Sequence, residues 1–179
     1  MKKLNPIAIQ HVGTTKQPYT MQTYRIKFLG EGGVGKTSWI RKIRHIDFNK
    51  SYVGTVGSEF HPHSVVTNHG TIQFTFMDYY GKEEYASPNP IESTDATVLM
   101  FDLSRKFTHT KLSHWHELCG TEPVFLVGNK SDLESVVTPT YHIEHDLPYV
   151  AVSAKTGNME DLFIPILRRL TGHNDLVIQ

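Results

Sequence analysis

Apolar positions acquire a period at Tyr24. Residues 1–21 are polar, contain two prolines and show no repeat of apolar positions, which predicts a flexible extension. YRIKFLG (24–30) then alternates and runs apolar into a glycine-rich turn, as a strand does. Residues 36–46 follow as a helix, with Trp39, Ile40 and Ile43 at helical spacing. Segments 59–67 and 71–77 are strand-like around Asn68-His69-Gly70, a hairpin turn whose asparagine and glycine tolerate positive φ. ATVLMFDL (96–103) is continuously apolar, as a strand covered on both faces must be, and EPVFLVG (122–128) and LPYVAV (147–152) are two more strands. Residues 108–119 read as a helix. Residues 159–170 read as a closing amphipathic helix in which Pro165 predicts a kink or an irregular turn.

Strands that alternate with helices imply right-handed βαβ units. The expected fold is α/β, a mainly parallel six-stranded sheet with helices on both faces and one antiparallel edge strand from the hairpin. The chain divides into an extension (1–21), one domain (22–172) and a short tail (173–179). No internal repeat or low-complexity segment interrupts this order.

Charge narrows the partners. Eighteen Lys and Arg balance 18 Asp and Glu, so no bulk field draws the chain to nucleic acid or to an anionic membrane. Cys119 is the only cysteine, which excludes an intramolecular disulfide and suits a reducing compartment. No apolar run reaches the roughly 18 residues of a membrane span. Pro6 and Gln10 break up the start too early for a signal peptide, and HNDLVIQ offers no cysteine for a prenyl anchor. A monomer without a membrane anchor is expected.

Three motifs carry the chemistry. GEGGVGKT (30–37) lies between a predicted strand and a predicted helix, where G-x-x-x-x-G-K-[ST] cradles phosphates. Backbone amides from Glu31, Gly32, Gly33, Val34 and Gly35 through Ser38 would curl around phosphate oxygens, helped by the helix N-terminus. Lys36 would reach the β- and γ-phosphates, and Thr37 would offer a hydroxyl to Mg²⁺. NKSD (129–132) directly follows a predicted strand. Asp132 there can accept both N–H donors of guanine, which adenine cannot satisfy. Asn129 can bond the base, and the stem of Lys130 can lie over it. SAK (153–155) ends the last predicted strand. Its Ala154 amide can meet the guanine oxygen beside Ser153, while Lys155 packs on the ring. An ATP-dependent kinase on the same scaffold is disfavoured, because NKSD selects guanine.

In this order the motifs resemble the Ras superfamily of small GTPases over roughly residues 22–172. Within it, YVGTVGSEFHP (52–62), TNHGTIQF (67–74), LSHWHEL (112–118) and HNDL (173–176) resemble the Ran family of nuclear transport. The resemblance implies a P-loop NTPase small G domain that binds GTP or GDP with Mg²⁺ and hydrolyses GTP. It implies that Thr55 completes the Mg²⁺ shell only beside a γ-phosphate, with Tyr52 in the same loop. By the same carry-over, Asp78 would touch Mg²⁺ through water and the Gly81 amide would bond the γ-phosphate. Lys36, Gly81 and the residue after it, Lys82, would then face the reacting phosphate. An exchange factor, a hydrolysis activator and transport receptors are the implied partners. The cytoplasm is the implied location; entry into a nucleus is left open.

Three departures change that picture. Lys82 stands where the family has a glutamine. The following KEEYASPNPIEST is shorter than its Ran counterpart and carries Pro88 and Pro90 against a helix. Residues 133–146 hold Glu134, Glu144 and Asp146 with no lysine or arginine, where Ran has a basic patch, and 173–179 lack Ran's acidic run. Two readings follow: a slow Ran-like GTP switch, or a hydrolysis-deficient GTP-binding module that occupies the partners of a cellular Ran. Lastly, the 11 histidines suggest no zinc site in sequence. His61 and His63 share a strand face, but His114 and His116 do not share a helix face. Solvated or core-edge histidines are expected.

Overall fold

The computed structural model describes residues 22–47, 54–55, 57–79, 94–158 and 160–179. The expected extension at 1–21 lies outside them. Six strands run β1 (Gln22–Leu29), β2 (Glu59–Thr67), β3 (Gly70–Asp78), β4 (Ala96–Asp102), β5 (Val124–Asn129) and β6 (Tyr149–Ala151). They form one sheet in the order β2-β3-β1-β4-β5-β6. β2 and β3 pair antiparallel, and every other neighbour pair is parallel. This is the predicted architecture, with the hairpin strand at one edge.

Period two sorts the sheet into two cores. Ile26, Phe28, Phe74, Phe76, Val98 and Met100 face α1 (Lys36–Ile43) and α5 (Glu160–Thr171), meeting Trp39, Ile40, Phe163 and Ile166. Leu29, Leu99, Phe101 and Leu126 face the opposite way, toward Leu112 and Trp115 of α3 (Leu112–Glu117) and Tyr141 of α4 (Tyr141–Glu144). All seven residues of β4 are buried, as its unbroken apolar run requires. Each large side chain so buried contributes about 1.5–3 kcal/mol. Among the described residues no helix is long and apolar enough to cross a membrane.

Several predicted bounds shift for local reasons. α1 stops at Ile43 rather than 46, because His45 turns left-handed (φ 56) and Ile46 N–H bonds the Arg41 carbonyl at 2.9 Å. The helix expected over 108–119 is two pieces, α2 (Lys106–Thr110) and α3, broken at Lys111. Thr108 and Thr110 donate hydroxyls to the carbonyls of Arg105 and Phe107, both at 2.8 Å, competing with helix propagation. α4 falls within 133–146, where the apolar pattern predicts no element. In the hairpin turn only Gly70 takes positive φ (107°), while the Thr67 hydroxyl accepts His69 N–H at 3.1 Å. α5 continues through Pro165, which is exposed; the carbonyl deprived of its bond belongs to Asp161, also exposed, where water can serve it. The tail closes the edge: Ile178 bridges Thr67, Gln179 N–H bonds the Val66 carbonyl at 3.0 Å, and Leu176 is fully buried.

Candidate functional site

The phosphate loop leaves the end of β1, which lies between β3 and β4, and passes against Met100 of β4 and Asn129 of β5. Gly30 has φ 136, and a β-carbon there would strike the Met100 carbonyl; at Gly35 (φ 108) it would strike the Asn129 amide. Both approaches need glycine. α1 begins at Lys36 with no side chain capping it, so Lys36, Thr37 and Ser38 start a helix whose first N–H groups have no intrahelical partner. Lys36 is 6% exposed, and its Nζ donates to the carbonyls of Gly30 at 2.6 Å and Glu31 at 3.0 Å. Burial pushes its pKa down to about 8 against the opposing pull of Asp78 and Glu31. A buried ammonium folded onto loop carbonyls is stabilised by an arriving anion.

Three oxygens converge beside it. The Thr37 hydroxyl donates to Asp78 Oδ2 and lies 3.1 Å from the Thr55 hydroxyl. Asp78, the last residue of β3, is fully buried. Burial raises its pKa, while the Thr37 bond and the Lys36 charge lower it. Its Oδ1 has no hydrogen-bond partner. A buried unpaired carboxylate oxygen is costly unless a cation or water meets it. Two hydroxyls and a carboxylate are a hard-oxygen set that fits Mg²⁺. Thr37, Thr55 and Asp78 are thus the residues that would hold it.

On the neighbouring strand ends, the two base-reading motifs form one unit. Asn129 is 1% exposed; its Nδ2 donates to the Val34 carbonyl at 2.7 Å. Its Oδ1 accepts from Trp39 Nε1 and from the Ala154 amide, both at 3.0 Å. Asn129 therefore ties the phosphate loop to β5 and to SAK, with one Nδ2 hydrogen remaining for a base. The Ala154 amide expected to meet guanine is engaged by Asn129 here. Lys130 takes φ 65 and sets its Nζ 2.7 Å from Asp102 Oδ2. Asp132 Oδ1 accepts from the Ser153 hydroxyl at 2.6 Å, and Lys155 Nζ lies 3.7 Å from Oδ2. Ser131 N–H to the Val152 carbonyl, 2.9 Å, joins the two loops.

Other supports were not read from the sequence. Trp39 enters the sequence pattern only as an apolar helix position and Trp115 only within LSHWHEL, yet each uses its indole N–H: Trp115 Nε1 donates to Glu31 Oε1 at 3.0 Å, turning that side chain toward α3. Asp102 ends β4, and Arg105 links it to the loop, with Nε 2.7 Å from Oδ2 and Nη2 donating to the Gly32 carbonyl at 3.1 Å. Burial opposes ionisation of Asp102, but bonds from Lys130, Ser104 and Arg105 hold it below the usual carboxylate range. A buried strand ending in aspartate (MFD) was the available signal. Tyr52, Gly81 and Lys82 lie outside the described residues.

Residues 25–172 match the sequence model of the Ras family. The chain belongs to the Ras family. Its α/β sheet is the Ras-family small G domain, and every motif lies at the C-terminal end of a parallel strand, where such sheets bind ligands. A Ras-family domain is a GTP-binding molecular switch that binds GTP or GDP with Mg²⁺ and has GTPase activity.

Proposed function

We propose that this chain is a Ran-like GTP switch with slow intrinsic hydrolysis, acting in nucleocytoplasmic transport. The convergence of Lys36, Thr37, Thr55 and Asp78 beside the Asn129–Asp132–Ser153 unit carries the nucleotide part of this reading. Lys36 and the loop amides of 31–38 bind the phosphates. Asp132 selects guanine, and Asn129 holds the loops in register with Lys130, Ala154 and Lys155 around the base. Mg²⁺ supplies neutralisation of phosphate charge when bound. Tyr52, Thr55 and Gly81 would report the γ-phosphate, so that its loss releases their loops. The likeness of 52–62, 67–74, 112–118 and 173–176 to Ran supports the transport role.

Lys82 favours a second reading. A lysine donates hydrogen bonds and accepts none, so it cannot align an attacking water as a glutamine does. A chain that holds GTP indefinitely would occupy the partners of a cellular Ran rather than cycle. Single-turnover phosphate release from GTP-loaded protein separates the two. Measurable release, slower than the roughly 4 × 10⁻⁴ s⁻¹ of an unaided Ras-type enzyme, supports the switch. No release with intact GTP binding supports the occupying module. Failure to bind GTP at all overturns both. The Ran assignment itself is checked by GTP-dependent capture of a nuclear-transport receptor, and equal capture in the GDP form removes it.

A further inference from the structure

His69 sits in the turn between β2 and β3; His173 and Asp175 follow α5. The sequence separates them by more than a hundred residues, yet the fold brings them to one point. His69 Nε2 lies 2.9 Å from Asp175 Oδ1. The rings of His69 and His173 stack with centroids 4.0 Å apart and planes 5° apart. One ligand atom from each of the three residues lies within 4.8 Å of the other two. No other trio of His, Cys, Asp or Glu among the described residues comes together this way.

The backbone beneath is already ordered. Asn68 N–H bonds the Val177 carbonyl at 3.2 Å, and Val177 N–H returns to Asn68 Oδ1 at 3.0 Å. Asn68 Nδ2 also donates to the Asp175 carbonyl at 3.2 Å. Leu176, fully buried, anchors the segment between them. The ligand-bearing segments therefore approach with much of their ordering already complete.

We propose that His69, His173 and Asp175 bind a divalent transition ion of the zinc type, clamping the segment after α5 onto the β2–β3 hairpin. Two imidazoles and a carboxylate suit Zn²⁺, with water in the fourth position; Mg²⁺ prefers all-oxygen shells and is a poor competitor. Zinc replaces the hydrogen now shared by His69 Nε2 and Asp175 Oδ1. Tetrahedral bonds of about 2.0–2.1 Å set ligand atoms about 3.3 Å apart, so on binding the stacked rings of His69 and His173 must tilt out of parallel to aim their in-plane lone pairs at the ion, a rotation open to exposed side chains. The inference is independent of the nucleotide site.

The test is Zn²⁺ titration of the full chain against a chromophoric chelator, with the protein held in GDP and Mg²⁺. One zinc per chain is expected. His69→Ala and His173→Ala should each weaken binding about tenfold or more, and His61→Ala should not. In wild type, zinc should slow hydrogen exchange at the Asn68, Val177 and Gln179 amides, and in His173→Ala it should not. Substoichiometric binding, or full binding in the His69→Ala/His173→Ala protein, overturns the site. Stoichiometric zinc that leaves those amides unchanged overturns the clamp.

Discussion

Asp132 reaches its position by a side-chain bond from Ser153 and a charge contact from Lys155, and neither uses all of its acceptor capacity. That leaves a carboxylate for the two donors of guanine. Asp132→Asn removes an acceptor and presents a donor to a donor. An unpaired buried donor costs about 1–3 kcal/mol, so GDP and GTP should weaken by about tenfold or more. Xanthine nucleotides, which carry an oxygen where guanine has its amine, give the new amide donor an acceptor and should bind the variant more tightly than they bind wild type. A competition titration with GDP and XDP reads both changes, and unaltered GDP affinity would remove the guanine assignment. Lys82 is the second residue at which chemistry can be read singly. Lys82→Gln restores an acceptor for the attacking water and should speed single-turnover hydrolysis about tenfold, or about 1.4 kcal/mol in barrier. A slow wild type with no gain in Lys82→Gln would move the cause to the proline-bearing backbone of 83–94.

Elements are joined through a buried ion pair on the α3 face of the sheet. Lys27 of β1 is 2% exposed, and its Nζ lies 2.6 Å from Glu122 Oε1, just before β5. Thr97 of β4 donates to the same oxygen at 2.5 Å, and Lys27 also reaches the Leu118 carbonyl at 3.4 Å. Burial alone would raise the Glu122 pKa, but the bonds from Lys27 and Thr97 bring it down to about 2. A carboxylate whose folded value is depressed stabilises the fold fully above its ordinary value of 4.5, and loses that contribution as pH falls toward 2. Glu122→Gln leaves a buried ammonium without its counter-charge and should cost about 3 kcal/mol or more at neutral pH. Urea unfolding from pH 6 to pH 2 checks this. The gap between wild type and Glu122→Gln should narrow below pH 4.5, and a constant gap would contradict the assigned pKa.

The whole molecule is closed by its last residues. Residues 176–179 cross back to the free edge of β2, where Ile178 bridges Thr67 and covers part of an edge that would otherwise offer unpaired backbone. Leu176 carries the apolar half of that closure, in the core shared by α1 and α5. Leu176→Ala should cost about 2–4 kcal/mol, which for a chain this long lowers the melting temperature by about 5–15 °C. Thermal unfolding of the nucleotide-free protein measures it. A change within a degree or two would mean that the tail contributes little to the fold.

The sequence alone determined the order of the six strands, the parallel sheet with its antiparallel edge, and the phosphate loop. Each is encoded locally: period two marks strands, a continuous apolar run marks burial on both faces, and glycines mark backbone that a β-carbon would block. The motifs also indicated that the phosphate loop, NKSD and SAK would gather at the ends of parallel strands, because strand–loop–helix context places them there. Tertiary structure decided what spacing along the chain cannot carry. Asn129 meets Trp39, Val34 and Ala154 across three segments, Trp115 takes the Glu31 carboxylate, and Arg105 reaches the Gly32 carbonyl. The split between α2 and α3 depended on threonine hydroxyls choosing backbone carbonyls, a competition that apolar periodicity does not register. His69, His173 and Asp175 met only because the tail returned to the hairpin. Such contacts join residues distant in sequence, and their geometry exists only once the sheet has folded.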